Sequence, residues 1–120
     1  MCGIAGCVSD KHIKVIDQLV KDLIHRGPDD FGIYHDKKNN FSLGMRRLSI
    51  QDIKSGHQPM YSQCGDFVIV FNGEIFNSKK LRKELENTGY RFKSKNSDTE
   101  TIVAGFSLYG KKFIKKLNGM

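Results

Sequence analysis

Ile4 to Val8 forms a brief apolar run, and Ser9-Asp10 behind it offers a helix cap. Ile13, Ile16, Leu19, Val20, Leu23 and Ile24 then recur at helical spacing until Gly27-Pro28 stops them, which predicts a helix covering one face of a sheet. Pro28-Asp29-Asp30 reads as a loop. Phe31 to Asp36 and Phe41 to Arg47 alternate as two strands joined by the polar turn Lys37-Lys38-Asn39-Asn40, a hairpin. From Gln51 to Pro59 no period is sustained, so a loop bordering a site is expected there. Phe67 to Phe71 is apolar on both sides of the alternation, as in a strand buried on both faces in the middle of a sheet.

The second half is read in the same way. Asn72-Gly73-Glu74-Ile75-Phe76-Asn77 is a polar, flexible insertion after that strand, with Asn77 as cap and Gly89 as stop of the next helix. Tyr90 to Lys93 predicts a short strand. Ser97 and Glu100 form a capping box that opens a helix carrying Ile102, Val103 and Phe106 and ending at Gly110. Lys111 to Leu117 reads as a short basic helix turning Phe113, Ile114 and Leu117 inward, and Asn118-Gly119 signals a turn.

Composition narrows this picture without changing it. Hydrophobic content of 38% and charged content of 28% are those of an ordinary globular domain. No apolar run approaches the roughly 18 residues of a membrane span, so no membrane partner and a cytoplasmic location are expected. Cys2, Cys7 and Cys64 are odd in number and lack C-x-x-C spacing, which suggests reduced thiols rather than disulfides or a metal site. The formal charge of +7 invites a nucleic-acid reading. Against it, the lysines are scattered, and the one cluster, Lys111 to Lys116, reads as the solvated face of a helix; no nucleic-acid partner is expected.

The N-terminal cysteine and four polar stretches lie where chemistry is feasible. If Met1 is removed, Cys2 carries a thiol and a free α-amine on one residue, with ordinary pKa values of about 8.5 and about 7.7 to 8.0. That is the arrangement of an N-terminal nucleophile activated by its own amine; the other reading is a small core residue opening a buried strand. Arg47 interrupts an apolar run, where its planar fork suits either a substrate carboxylate or a structural ion pair. Asn72 and Gly73 supply a side-chain amide and a backbone N–H, the two donors of an oxyanion hole or the makings of a plain turn. His25-Arg26-Gly27-Pro28-Asp29 lies at a helix end. Asp98 reads by itself as the first acidic residue of a helix, where the macrodipole favours a carboxylate.

Taken together and in order, Cys2-Gly3-Ile4, His25-Arg26-Gly27-Pro28-Asp29, Arg47-Leu48-Ser49-Ile50-Gln51-Asp52, Gly56-His57-Gln58-Pro59, Asn72-Gly73-Glu74-Ile75 and Ser97-Asp98-Thr99-Glu100 have a familiar look. The chain resembles the glutaminase domain of class II glutamine amidotransferases, most closely the glutamine-hydrolysing asparagine synthetase branch, which the Arg-Leu-Ser-Ile and Gly-x-Gln-Pro stretches favour. The resemblance implies an α+β, Ntn-hydrolase fold, a four-layer αββα sandwich, with residues 1–120 as the N-terminal part of a type-2 domain truncated at its C-terminal side. It implies Cys2 as nucleophile with its amine as proton shuttle, Asn72 and Gly73 as oxyanion hole, Arg47 on the glutamine α-carboxylate, and Glu74 and Asp98 on the α-ammonium. A zwitterionic substrate does need one fixed cation and one fixed anion.

Further expectations follow from the resemblance. Glutamine is the substrate, and no metal or cofactor is needed in this domain; ATP and magnesium belong to a C-terminal synthetase domain, absent here, that receives the ammonia. Aspartate is the leading acceptor. Amidation of sugars for surface polysaccharides, and a non-catalytic interaction module that keeps the fold, are the alternatives, and the resemblance leaves room for a homodimer. Met45 stands where relatives often have histidine and Phe76 where many have tyrosine, and both changes remove a hydrogen-bonding group beside the pocket.

Overall fold

The structure, a computed structural model, describes residues 2–48 and 56–120. Ser49 to Asp52 of the arginine-containing motif, the first part of the Gln51–Pro59 loop and Met1 therefore lie outside the described residues.

Strand β1 (Gly3–Val8) leads into helix α1 (His12–Asp22), which tightens into a 3-10 turn at Leu23–His25. Strands β2 (Asp30–Asp36) and β3 (Phe41–Arg47) follow. They form the expected hairpin, running in antiparallel register from Asp30 opposite Arg47 to Asp36 opposite Phe41. At its turn Asn39 donates from its backbone and its side chain to Asp36, at 3.1 and 2.8 Å, and these bonds hold the Asp36 carboxyl below its ordinary pKa. Strand β1 adds to the other edge of β3, giving the order β1-β3-β2.

Cross-strand partners share a face, so Gly3, Ala5 and Cys7 stand with Arg46, Gly44 and Ser42. This face meets α1. A Cβ on Gly44 would collide with Val20 and crowd Ile16, so the glycine is what lets the helix lie close. The helix buries His12, Ile16 and Val20, a narrow stripe of i, i+4 and i+8. Ile13, Leu19 and Ile24, expected to point inward, are more than a third exposed because that stripe alone faces the sheet. Ser9 also acts differently from a simple cap: Lys11 is the cap residue, and Ser9 accepts from the Lys11 N–H through Oγ and from the His12 N–H through its carbonyl.

The opposite face of the three-stranded sheet turns toward strands β4 (Met60–Tyr61) and β5 (Val68–Ile69), which pair with each other. A Cβ on Gly32 would collide with the Gln58 carbonyl, and the Tyr34 and Tyr61 rings meet edge to face at 6.1 Å. Behind β4 and β5 lies helix α3 (Asp98–Tyr109), with Phe106 against Phe67 at 5.3 Å. Helix, sheet, sheet and helix thus stack in the αββα order of an Ntn-hydrolase-like domain.

Two expectations for strands fail here, for one physical reason. Phe67 to Phe71 is not a central strand: among the described residues Val68 and Ile69 pair only with β4, and they are half-buried. The backbone of Phe71 is met instead by the side chain of Gln58. Tyr90 to Lys93 forms no strand either, because the N–H groups of Lys93 and Ser94 are taken by the buried Glu100 carboxylate at 2.7 and 2.8 Å. In both places a side chain does what a neighbouring strand was expected to do.

A second core gathers Ile75, Leu81, Leu85, Tyr90, Ala104 and Phe113, joining helix α2 (Ser78–Asn87), α3 and the short α4 (Lys111–Ile114). Burial of a side chain such as Leu85 or Phe113 contributes roughly 1.5–3 kcal/mol. Burial near Glu100 pushes the Tyr90 hydroxyl above its ordinary pKa. Lys111, Lys112, Lys115 and Lys116 are exposed around buried Phe113, but Ile114, expected inside, is 53% exposed. Asn77 is the cap residue of α2 as expected, its carbonyl accepting from the Lys80 and Leu81 N–H groups, but its side chain makes no cap bond. Its amide bridges to the chain's last residues, accepting from the Asn118 N–H at 3.0 Å and donating to the Lys116 carbonyl at 2.8 Å. Asn118-Gly119 is accordingly extended rather than a turn, and Gly119 pairs antiparallel with Ile75.

Candidate functional site

A cavity of about 440 Å³ opens between the end of the three-stranded sheet, the segment after β5 and the start of α3. Cys2, Arg47, Asn72, Gly73, Glu74 and Asp98 all line it, together with Gln58, Phe71, Ser97 and Thr99. Every residue to which the sequence assigned a role therefore borders one space.

Cys2 and Arg47 come from adjacent strands. The β1–β3 register pairs Gly3 with Arg46, so Cys2 and Arg47 lie alongside each other one step further on. The half-buried Cys2 thiol is 3.9 Å from the Leu48 carbonyl. Arg47 is 6% exposed and is fixed from behind by the motif at the helix end. The Asp29 N–H donates to the Arg47 carbonyl at 3.1 Å, and Pro28 bridges to Arg47 in parallel fashion. Gly27 is required there, since a Cβ would collide with the backbone of Arg46 and Arg47. The sequence offered two readings of Arg47, and its burial at a cavity wall is compatible with both.

The opposite wall is built from backbone. Asn72, Gly73 and Glu74 are exposed, and among the described residues no hydrogen bond engages the Asn72 side chain or the Gly73 N–H. Glu74 is held by reciprocal bonds with Met120, its N–H to the Met120 carbonyl and its carbonyl from the Met120 N–H, both at 3.0 Å. A Cβ on Gly73 would collide with the Met120 carbonyl and the Phe71 ring. These contacts hold the segment in one course, with the Asn72 amide and the Gly73 N–H meeting no acceptor among the described residues.

Asp98 sits in the first turn of α3, as its helix-terminal reading required, and lines the cavity, as the resemblance implies. Its Oδ2 accepts from the Ile75 N–H at 3.1 Å, tying the helix start to the Asn72–Glu74 segment. Ser97 caps the helix, accepting from the Glu100 N–H at 3.3 Å. The reciprocal half of the capping box is absent, because the Glu100 carboxylate is engaged by Lys93 and Ser94 and the Ser97 N–H goes to the Ser94 hydroxyl.

Chemically, the cavity collects a thiol, a fixed cation, two carboxylates, a side-chain amide and a backbone N–H. Neither Met45 nor Phe76, expected beside the pocket, lines the cavity: Met45 is wholly buried and Phe76 is 60% exposed. Gln58 and Thr99 are the residues the sequence left without a role. Gln58 stood inside a quoted motif, but its polar side chain pairs with backbone distant in the chain, which no local pattern reports.

Comparison with known proteins agrees with this picture. The family model described as "Glutamine amidotransferase domain" matches residues 1–120. The chain is 41% identical to glutamine-hydrolysing asparagine synthetase 1 of Bacillus subtilis (strain 168), 38% identical to asparagine synthetase 1 of Arabidopsis thaliana, and 35% identical to asparagine synthetase 3 of B. subtilis. Each match takes in 100% of this chain and 20% of the relative, so the chain spans about a fifth of the length of these proteins.

Proposed function

The chain belongs to the glutamine amidotransferase domain family, and on that premise we propose that it hydrolyses glutamine to glutamate and ammonia at the cavity of Cys2. The observation that carries the proposal is the convergence on one cavity of Cys2, Arg47, Asn72, Gly73, Glu74 and Asp98, whose chemistry matches the two ends of glutamine.

In this reading Arg47 grips the α-carboxylate through its fork, and Asp98 with Glu74 receives the α-ammonium. The side-chain amide then faces Cys2. With Met1 removed, the α-amine of Cys2 takes the thiol proton, and sulfur attacks the amide carbon. The carbonyl oxygen becomes an oxyanion held by the Asn72 amide and the Gly73 N–H, donors of the kind whose loss costs roughly 10²–10³ in rate. The C–N bond breaks, ammonia leaves with the proton returned by the ammonium group, and a γ-glutamyl thioester remains. Water, deprotonated by the same amine, releases glutamate and restores the thiol.

The relatives are glutamine-hydrolysing asparagine synthetases, which supports asparagine as the product made with the ammonia; in this reading the ammonia passes to an ATP-dependent synthetase domain with aspartate as acceptor. The reading also sets the protein in the reducing cytoplasm, which keeps Cys2 as a free thiol. Labelling by a diazoketone analogue of glutamine tests it. One label per chain on Cys2, blocked by glutamine, is the expected result; labelling absent, or spread over Cys7 and Cys64, contradicts it.

A further inference from the structure

We propose that Gln58 is a positioning residue that sets the distance between the oxyanion wall and the ammonium wall of the cavity, an inference that rests on the glutaminase reading above. Gln58 is only 6% exposed. Its Oε1 accepts from the Phe71 N–H at 2.7 Å, and its Nε2 donates to the Phe71 carbonyl at 3.2 Å and to the Thr99 hydroxyl at 3.2 Å. Both amide hydrogens and the amide oxygen are used. Turned over, the amide would set its NH2 against the Phe71 N–H and its oxygen against the Phe71 carbonyl, so only one orientation satisfies the site.

The partners explain why this matters. Phe71 directly precedes Asn72 and Gly73, and Thr99 directly follows Asp98. The side chain of Gln58 therefore clasps the stem of the segment offered to the oxyanion and the helix turn offered to the ammonium. Its own backbone is braced by β2, where Gly32 leaves room for the Gln58 carbonyl. Asp98 makes a second tie between the same walls through the Ile75 N–H, on the far side of Glu74. The Asn72–Glu74 segment is thus pinned before and after, once by Gln58 and once by Asp98. Gln58 touches neither wall's ligand-facing groups through its own chemistry in the proposed reaction. It acts by holding them in register, and a misplacement on the scale of 1 Å is enough to cost about 10²-fold in rate.

The test uses the full-length protein and compares Gln58→Met, Thr99→Val and Thr99→Ser with wild type. Steady-state glutaminase kinetics are measured together with active-site titration by the diazoketone analogue. Gln58→Met is expected to lower kcat/KM by about 100-fold, divided between a lower kcat and a higher KM because both walls shift, while each chain still takes one label. Thr99→Val, which loses only the acceptor on the ammonium wall, raises KM by about 3- to 10-fold with kcat little changed, and Thr99→Ser restores wild-type kinetics. Two results overturn the proposal while the wild type labels and turns over: unchanged kcat and KM in both Gln58→Met and Thr99→Val, or a fall in kcat matched by a fall in labelled sites at constant KM. A wild type that neither labels nor hydrolyses glutamine overturns the reading beneath it.

Discussion

Cys2 just before the first strand and Cys7 near its far end mark the two ends of one sheet edge, and their surroundings differ in a way residue type alone does not announce. At the Cys7 end, strand register sets Cys7 beside Ser42 and Ser42 beside His35, on the face covered by α1. The Ser42 hydroxyl, wholly buried, lies 2.6 Å from His12 Nδ1 and 2.8 Å from His35 Nδ1. It can donate to one imidazole and accept from the other, so the polar groups satisfy one another. At the Cys2 end the thiol, the Asn72 amide and the Glu74 and Asp98 carboxylates border a cavity of about 440 Å³. Cysteine, serine and histidine together look like catalytic material, yet here they close a sheet end. The end read as chemical holds no histidine at all among its cavity-lining residues.

The largest expected contrast is between the thiols. Cys2→Ala removes glutaminase activity by roughly four orders of magnitude or more, the scale of losing a covalent nucleophile. Cys7→Ala and Cys64→Ala keep it, because neither thiol shares a residue with an amine. Parallel assays of the three variants check this, and an inactive but folded Cys7→Ala would erase the distinction between the two ends.

Next come the groups that grip the substrate. Arg47→Lys keeps the charge but loses the fork, and Asp98→Asn keeps the acceptor for the Ile75 N–H but loses the charge. Each is expected to raise KM for glutamine by roughly 10- to 100-fold with a much smaller change in kcat, since binding that is equal in ground and transition states moves KM alone. Kinetics at saturating and limiting glutamine separate the two parameters; unchanged KM in either variant contradicts its assigned role.

The smallest effect belongs to the closed end. Ser42→Ala strands two imidazole nitrogens, at a cost of about 1–3 kcal/mol in stability, which for a domain of this size lowers Tm by about 4 °C per kcal/mol. Glutamine kinetics per folded molecule stay as in wild type. Thermal unfolding beside activity measurements checks it, and a Ser42→Ala protein of unchanged Tm but altered kcat would mean that the two ends are coupled.

The legible parts of this molecule are those whose cause is local. The β2–β3 hairpin, the helix over the sheet, the Ser97 cap and the Gly89 and Gly110 stops each follow from spacing or turn chemistry within a few residues. That the candidate residues border one cavity was legible for a related reason: Arg47, Asn72, Gly73 and Asp98 sit where elements end, and the ordered motifs linked them to Cys2. What escaped depends on partners far away in sequence. Phe71 gives its backbone to Gln58, Lys93 and Ser94 give theirs to Glu100, and Asn77 spends its amide on Lys116 and Asn118 instead of on its own helix. The apolar run at 67–71 promised a central strand and 90–93 a short one, but the pattern of residue types cannot tell whether a strand or a side chain will meet the backbone.

The central claim is that the α-amine of Cys2 serves as the proton carrier for its own thiol, and intact-mass analysis beside a glutaminase assay tests it most directly. An amine engaged in a peptide bond has no usable basicity, so any residue or acyl group ahead of Cys2 should abolish glutaminase activity. Ammonia-dependent synthesis by the full-length protein should persist in the same sample. The account predicts that activity tracks the fraction of chains whose mass lacks Met1. An active sample in which every chain retains Met1 would contradict it.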